Sequence, residues 1–554
     1  MEDSKDDKEK DKNNNKKKGI IKTGISKILS PKKEDNDWEE VDKNDSIYKD
    51  INKNKEYIKN KYSVPDNSDF VIREFSININ KNNTSAFIIF FDGMIDRKIV
   101  NDNVLEPLMV FSNLLIKSNE NDLLEYVNKH LLPHNQVKIS NKFSEIINEV
   151  NFGGCGVFID GCDYAIAADV KGWEHRTVGR PNTEIVIRGP QEGFSEVLRI
   201  NNALVRKILK DEDVICESII IGKRNRMPCS MMYIKDITNK SLIGEIRRRL
   251  KNIKVDYITD SGELEQLIED SSILPIPQML ATERPDRVAS MLAEGRVAIL
   301  LHGSPFALVA PSNISSLFNA AEDQYIRFPY SNFLKAIRII GAFASIFLPA
   351  IYLAIINYHH EMIPTDLLLA LETARERVPF PSVIEILIME ISFELIREAG
   401  IRIPGPIGPT LGIIGALILG QAAVAANVVS PILIIIVAVT GIGSFAVPNY
   451  SLAYAFRMLR FIYIALSYFA GFLGISIGVF IQGLWFVNSK SFGVPLLSPF
   501  APKTKGAIAS GFTQMPIWKN EKRPDFLNTI DQKNQPEISR EWTDNESSDN
   551  KKGK

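Results

Sequence analysis

At 554 residues the chain has room for several domains, and 66 Lys and Arg against 67 Asp and Glu leave no basic surplus to suit a nucleic-acid partner. The averages, 45% hydrophobic and 24% charged, are those of an ordinary soluble protein, yet the two classes are unevenly placed. Residues 1–335 carry charge throughout, whereas Ile339–Asn357, Ile403–Phe456 and Phe461–Ser489 contain no Asp, Glu, Lys, Arg or His. Crossing the hydrocarbon takes about 20 apolar helical residues, so these runs suit one, two and one spans. The expected fold class is an α/β cytosolic N-terminal region of two subdomains, followed by an all-α multi-pass membrane domain.

The first residues, "MEDSKDDKEKDKNNNKKKG", lack an apolar h-region, so no cleaved signal peptide is expected and the soluble part is placed in the cytosol. Cys155, Cys162, Cys216 and Cys229 lack zinc-site spacing and are expected as reduced strand residues. A charged, disordered tail is expected over 1–61, one subdomain over 62–200 and a second over 201–325. In the first, "SAFIIFFDGMID" (Ser85–Asp96) predicts a buried strand and turn, with a helix through Val104–Ile116. Gly153–Gly172 predicts two strands joined at Asp160-Gly161, and Gly193–Lys210 a helix. In the second, strands are predicted at Val214–Ile221, Ser230–Lys235, Val255–Thr259 and Arg296–His302, with helices at Lys240–Lys251 and Glu263–Glu269.

The membrane domain is expected over 326–489. Lys335 and Arg338 open its first span on the cytoplasmic side, and Pro349 predicts a kink that holds only if a neighbouring helix satisfies the freed carbonyl. In the next helical segment Glu390, Glu394, Arg397 and Glu398 share one arc, with Glu385 opposite. That helix either lies in the interface with a local Glu394–Arg397 pair, or spans with Glu390 and Glu394 facing an ion path. Gln421, Asn427 and Ser430-Pro431 interrupt the long apolar run, as a turn outside the membrane or as a polar site between helices. Gly408 and Gly412, Ala416 and Gly420, and Gly474 and Gly478 form small-xxx-small pairs expected at close helix contacts. Gly474-Ile-Ser476-Ile-Gly478 matches a hydrolase nucleophile elbow, but it lies inside an apolar run without the required strand-turn-helix setting. No phosphate loop, zinc helix or dinucleotide fingerprint occurs, so neither cofactor nor catalysis is expected. A polar tail is expected over 490–554.

"RGPQEGFSEVLRINNALVRK", "RVAILLHGSPFALVAP" and "RFPYSNFLKAIRIIGAFASIFLPAIYLAIINYHHEMIPTDLLLAL" follow in that order, with the long apolar run after them. Together they resemble the A subunit of GerA-type spore germination receptors over about residues 65–505. The resemblance implies a spore inner-membrane protein that works with a transporter-like B subunit and a C-subunit lipoprotein, oligomerises, and forms or gates the ion channel that starts germination. It carries over no catalytic residue. A secondary transporter acting alone, or a membrane scaffold without its own pore, are the alternatives; four or five spans without a convincing internal repeat suit a transporter poorly.

Overall fold

The computed structural model describes residues 45–79, 82–109, 137–172, 179–181, 183–402, 415, 418–503 and 513–535. All the elements below belong to the compact unit that starts at Ile47.

Helix α1 (Ile51–Lys61) falls where the sequence predicts charged tail. Asp50 caps it by accepting the Asn52 N–H at 2.9 Å, and its Ile58 and the following Tyr62 are fully buried against the first sheet. Two apolar residues one turn apart are enough to dock an otherwise polar helix.

That sheet holds β1 (Phe70–Ile79), β2 (Asn82–Phe91), β3 (Val137–Ser140), β4 (Cys155–Ile159) and β5 (Ala165–Ala168) in the order β1-β2-β4-β5-β3, every pair antiparallel. Helix α2 begins at Arg97–Val100 and continues through a π turn, Asn101–Leu105, into Glu106–Met109. It covers one face with Val100, Val104, Leu105 and Leu108. Helix α3 (Phe143–Asn151) covers the other with Phe143, Ile146, Ile147 and Val150.

Helix α4 (Leu198–Ile208) leads to a second sheet: β6 (Val214–Ile221), β7 (Met227–Ile234), β8 (Leu280–Thr282), β9 (Val297–Leu301) and β10 (Ala307–Ala310). Its order, β6-β7-β9-β10-β8, repeats that of the first sheet. The hairpins β4–β5 and β9–β10 correspond residue for residue, down to left-handed glycines at Gly153 and Gly295 (φ 98° and 96°) and at Gly161 and Gly303 (φ 84° and 87°). The α/β region is therefore one topology used twice. No strand forms over Val255–Thr259, where one was expected: the Val255 and Asp256 carbonyls there accept only the Lys223 and Arg224 N–H groups that follow β6. The sheet edge belongs instead to β8, which at 3 residues is too short to read from pattern.

Helices α5 (Lys240–Lys251) and α6 (Ser261–Ile268) cover one face of the second sheet. The other face is covered by α4 and by α7 (Pro285–Ala293), and its core does not stop there. It runs through α8 (Ile314–Phe318) into Ala342, Ile346, Leu452, Phe456, Leu459 and Tyr463 of the long helices α9 (Phe328–Tyr358) and α13 (Tyr450–Asn488). The apolar core crosses the expected domain boundary near residue 325.

Between α9 and α13 lie α10 (Thr365–Arg375), α11 (Ser382–Arg402), helical turns over 418–425, and α12 (Pro431–Phe445). Helix α13 is broken at Ala470 (φ −144°, ψ 16°) and Gly471 (φ 54°), and folds back so that Tyr463 bonds Gln482. Its arms, 450–469 and 472–488, are antiparallel. Among the described residues, α9 and α13 are long and apolar enough to cross a membrane. After α13, β11 (Lys490–Ser491) and β12 (Val494–Pro495) return to the second sheet, where Ser491 Oγ accepts the Ser312 N–H at 3.0 Å.

The described residues beyond α13, 490–503 and 513–535, are tied back to the rest of the fold. Gln514 exchanges hydrogen bonds of 3.0 and 2.6 Å with Asn332 at the start of α9. Arg523 Nε donates to Ala293 O at 2.8 Å, and the Ile530 N–H donates to Ile237 O at 2.9 Å. Trp518 packs edge-on to Phe328, and the Phe526 ring faces Arg296. Hydrogen bonds and ring contacts do here what apolar periodicity does elsewhere, which is why composition alone misses it.

Candidate functional site

Pro349 has no N–H, so the carbonyl of Ser345 one turn earlier loses its helical partner. Arg460 of α13 fills that vacancy, donating Nε to Ser345 O at 2.8 Å and Nη2 to Ser345 Oγ at 3.3 Å. Its Nη1 donates to Glu390 Oε2 on α11. Arg460 and Glu390 are both almost wholly buried, at 2% and 0% exposure.

One helical turn away a second group forms. Glu394 accepts from Arg457 at 3.2 Å and from Arg397 at 3.2 Å, and Arg397 Nη2 donates to Ser444 Oγ of α12 at 2.9 Å. The aromatic rings of Tyr454 and Phe445 lie 4.0 and 4.6 Å from Arg457 and Arg397. Two carboxylates thus meet three guanidinium groups among apolar helices, so both acids are balanced within one chain. Glu385, on another side of α11, accepts the Ser430 N–H at 3.1 Å and faces Arg375 at 3.5 Å. Ile386 and Met389 pack with Leu353, Leu433 and Val437. Helix α11 is therefore packed on α9 and α12 rather than lying free.

Glu390, Glu394 and Arg397 come together; Gln421 and Asn427 do not join them. Gln421 is exposed on the helical turns, and Asn427 (φ 53°) lies in the turn before α12, whose Pro431 takes the first helical position behind the Ser430 cap. Gly408, Gly412 and Ala416 lie outside the described residues. A Cβ on Gly420 would meet Ile434 at an ordinary 3.4 Å. Gly474 and Gly478 are under real constraint: a Cβ would lie 2.1 Å from Leu466 O and 2.7 Å from the Leu466 side chain. They let the two arms of α13 meet. Among the described helical glycines, a close contact between separate helices that the spacing does not suggest is Gly341 of α9 against Gly443 of α12, where a Cβ on Gly443 would stand 2.5 Å from Gly341 O. Ser476 donates to Phe472 O at 2.8 Å within its helix, in no nucleophile elbow.

Sequence reasoning misses the partners Arg457 and Arg460, although they lie about one helical turn apart, as Glu390 and Glu394 do. A charged pair set between two long uncharged runs is the signal that marks them.

A second polar feature lies between the two sheets. Arg206 of α4, buried, donates to Asp69 at 2.6 and 2.8 Å and to Asn67 at 2.8 Å, clamping the segment that leads into β1. Beside it opens a cleft of about 310 Å³ lined by Asp92, Arg199, Asn202, Ser218, Ser230 and His302, among others. Asn202 Nδ2 donates to Ser230 Oγ at 2.9 Å, while its buried Oδ1 has no hydrogen-bond partner among the described residues.

The family described as Bacillus/Clostridium GerA spore germination protein matches residues 56–526. Spore germination protein KA of Bacillus subtilis (strain 168) is 36% identical over 471 residues, 85% of this chain and 86% of that one. The membrane protein YfkQ of the same organism is 38% identical, covering 82% and 88% of the two chains. Spore germination protein GerLA of Bacillus cereus is 37% identical, covering 81% and 90%. A crystal structure of the N-terminal domain of the A subunit of the Bacillus megaterium spore germinant receptor GerK3 aligns at 31% identity and a TM-score of 0.37, over 48% of this chain and 96% of that one. Because the matched region takes in both sheets, the arginine–glutamate cluster and the folded-back helix α13, this chain belongs to the GerA family of spore germination proteins.

Proposed function

We propose that the chain is the A subunit of a nutrient germinant receptor in the spore inner membrane, and that copies of it, with a transporter-like B subunit and a lipoprotein C subunit, gate an ion path. The observation that carries this reading is the apolar core continuous from the second sheet into α9 and α13, reaching the helices that hold the Glu390–Arg460 pair. A displacement in the α/β region has a packed route to a buried charge pair, and packed cores shift between discrete arrangements rather than bending freely. In this reading Glu394, the more exposed carboxylate, faces the ion path, and Glu390 with Arg460 latches the helices around it.

The sidedness of the chain rests on which helix ends meet. The ends of α9 and α11 meet where Ser382 Oγ donates to Asn357 at 2.8 Å, and Tyr358 packs on Gly471 at the same end. At the opposite end Gly341 meets Gly443 and α13 begins beside α8. Helix α11 ends and α12 starts at opposite ends of the bundle. The second arm of α13 ends on the side where α9 begins, which leaves the α/β region and residues 490–503 on one side, the cytosolic side by Arg338 and Lys335. Small-residue contacts at Gly341–Gly443 and within α13 support a packed bundle.

Deleting the gene in a strain that lacks other receptors of this type should abolish the response to at least one nutrient. Unchanged nutrient germination would refute the receptor role. A scaffold reading predicts instead that the partner subunits are lost from the membrane while ion flux, once they are restored, returns without this chain.

A further inference from the structure

The loop Glu184–Pro190 is held at both ends and yet presents two isoleucines to water. Fully buried Arg284 donates to Glu184 O at 3.2 Å and to Pro190 O at 2.8 Å. The Glu184 carboxylate is bonded by Arg287 and by Thr282, and Gln191 Nε2 donates to Val186 O at 3.1 Å. Val186 points inward, 6% exposed, while Ile185 and Ile187 on either side of it are 78% and 93% exposed. A loop tied down by a buried guanidinium does not expose isoleucine through looseness. The exposure is built in.

The place of the loop narrows what could cover it. Gly189 lies so close to Tyr325 that a Cβ would stand 2.6 Å from the ring. Asp323, two residues before Tyr325, accepts from Arg338 at 2.6 Å, and the charge-free run Ile339–Asn357 starts directly after Arg338. By a second route, Arg287 donates to Asn319 O at 2.7 Å, next to Phe318, whose ring packs 6.0 Å from Phe456 of α13. Both routes set the loop beside the level at which the apolar helices begin. Exposed Arg188 adjoins Ile187, and exposed Arg327 follows two residues after Tyr325. Apolar tips with a cationic flank suit the boundary between headgroups and acyl chains of an anionic leaflet. Two side chains supply only a small part of the roughly 1,200 Å² that a stable protein interface buries, whereas a chain already held by spanning helices needs no more than a local contact.

We infer that Glu184–Pro190 is a membrane foot: Ile185 and Ile187 insert into the cytosolic leaflet and Arg188 meets its phosphates, so that the α/β region rests on the bilayer. The inference depends on the membrane-spanning reading above. The test is the full chain carrying Ile187→Cys, labelled with an environment-sensitive fluorophore, in vesicles of phosphatidylcholine and phosphatidylglycerol; the four native cysteines are buried. The label should emit in the blue, and nitroxide on the acyl chains should reduce its emission roughly twofold or more, as for a group about 5–10 Å deep. Arg188→Glu should weaken that quenching. Water-like emission overturns the foot, and so does blue emission untouched by lipid nitroxide, which would place a second copy or a partner subunit on the loop. Phe480→Cys, on the exposed side of α13, separates the two readings. Quenching there without quenching at position 187 refutes the foot alone; no quenching at either refutes the membrane assignment and the foot with it.

Discussion

Replacing Arg460 by Met keeps much of the side-chain volume and removes the guanidinium. Three groups lose a partner at once: the Glu390 carboxylate, the Ser345 carbonyl that Pro349 cannot serve, and the Ser345 hydroxyl. Glu390 is 0% exposed, so its charge stays where water does not reach. Breaking one side of a buried pair costs about 3–5 kcal/mol, whereas exchanging both sides for apolar or neutral groups is often neutral. Arg460→Met should therefore be strongly destabilised, Glu390→Gln somewhat less, and the double variant should recover most of the loss. The coupling in the double-mutant cycle should exceed about 2 kcal/mol, well above the roughly 0.5 kcal/mol seen for independent sites. Thermal transitions of the detergent-purified chain, followed by size-exclusion chromatography of the surviving fraction, give the four stabilities on one scale. Additive losses, or a single Arg460→Met variant as stable as the parent, would show that the guanidinium is solvated or paired elsewhere.

Other contacts set further outcomes. Gly443→Leu should separate α9 from α12 and cost about 1–3 kcal/mol, read as a lower melting temperature of the detergent-purified chain; Gly420→Leu, with only ordinary contact to Ile434, should be far milder. Burial and the neighbouring Glu269 push the Glu265 carboxyl up to about 7 against the pull of the Met279 N–H. A raised carboxyl favours the fold when protonated, so its contribution is complete below about pH 4 and is lost as pH rises through about 7, an effect of about 1–3 kcal/mol. Glu265→Gln should narrow the stability difference between pH 5 and pH 8 and raise the melting temperature at pH 8; an unchanged pH profile would refute the shift. Removing residues 513–554 should lower the melting temperature and loosen the start of α9, seen as faster amide exchange at Asn332 and its neighbours.

Much of the α/β region can be read from residues 85–302, where alternation and turn pairs such as Asp160-Gly161 mark strands and hairpins directly. The duplication is harder to see. Cys155–Ala168 and Val297–Ala310 share apolar placement and one turn glycine but few identities, so it emerges from strand order. In the helical region Pro349 announces an orphan carbonyl, and Pro431 announces a helix start; both read correctly because they concern the backbone. Which side chain answers the orphan is not a local property. Arg460 lies 115 residues from Ser345 and 70 from Glu390, and in sequence it reads as the border between two apolar runs. The acidic arc of α11 is visible in the residues; its neutralisation by α13 is not. Small-residue spacing likewise locates Gly474 and Gly478 without saying that their partner is the other arm of the same helix. The break at Gly471 that creates that partner has no proline to announce it.

Single-channel recording on bilayers holding this chain with the proposed B and C subunits addresses the central proposal, that the charged cluster among α9, α11 and α13 controls an ion path. The account predicts discrete openings on nutrient addition that are absent when this chain is left out. It also predicts that Glu390→Gln combined with Glu394→Gln, at normal protein level, changes their frequency or cation preference. Openings that persist without this chain, or that are identical in the double variant and the parent, would contradict it.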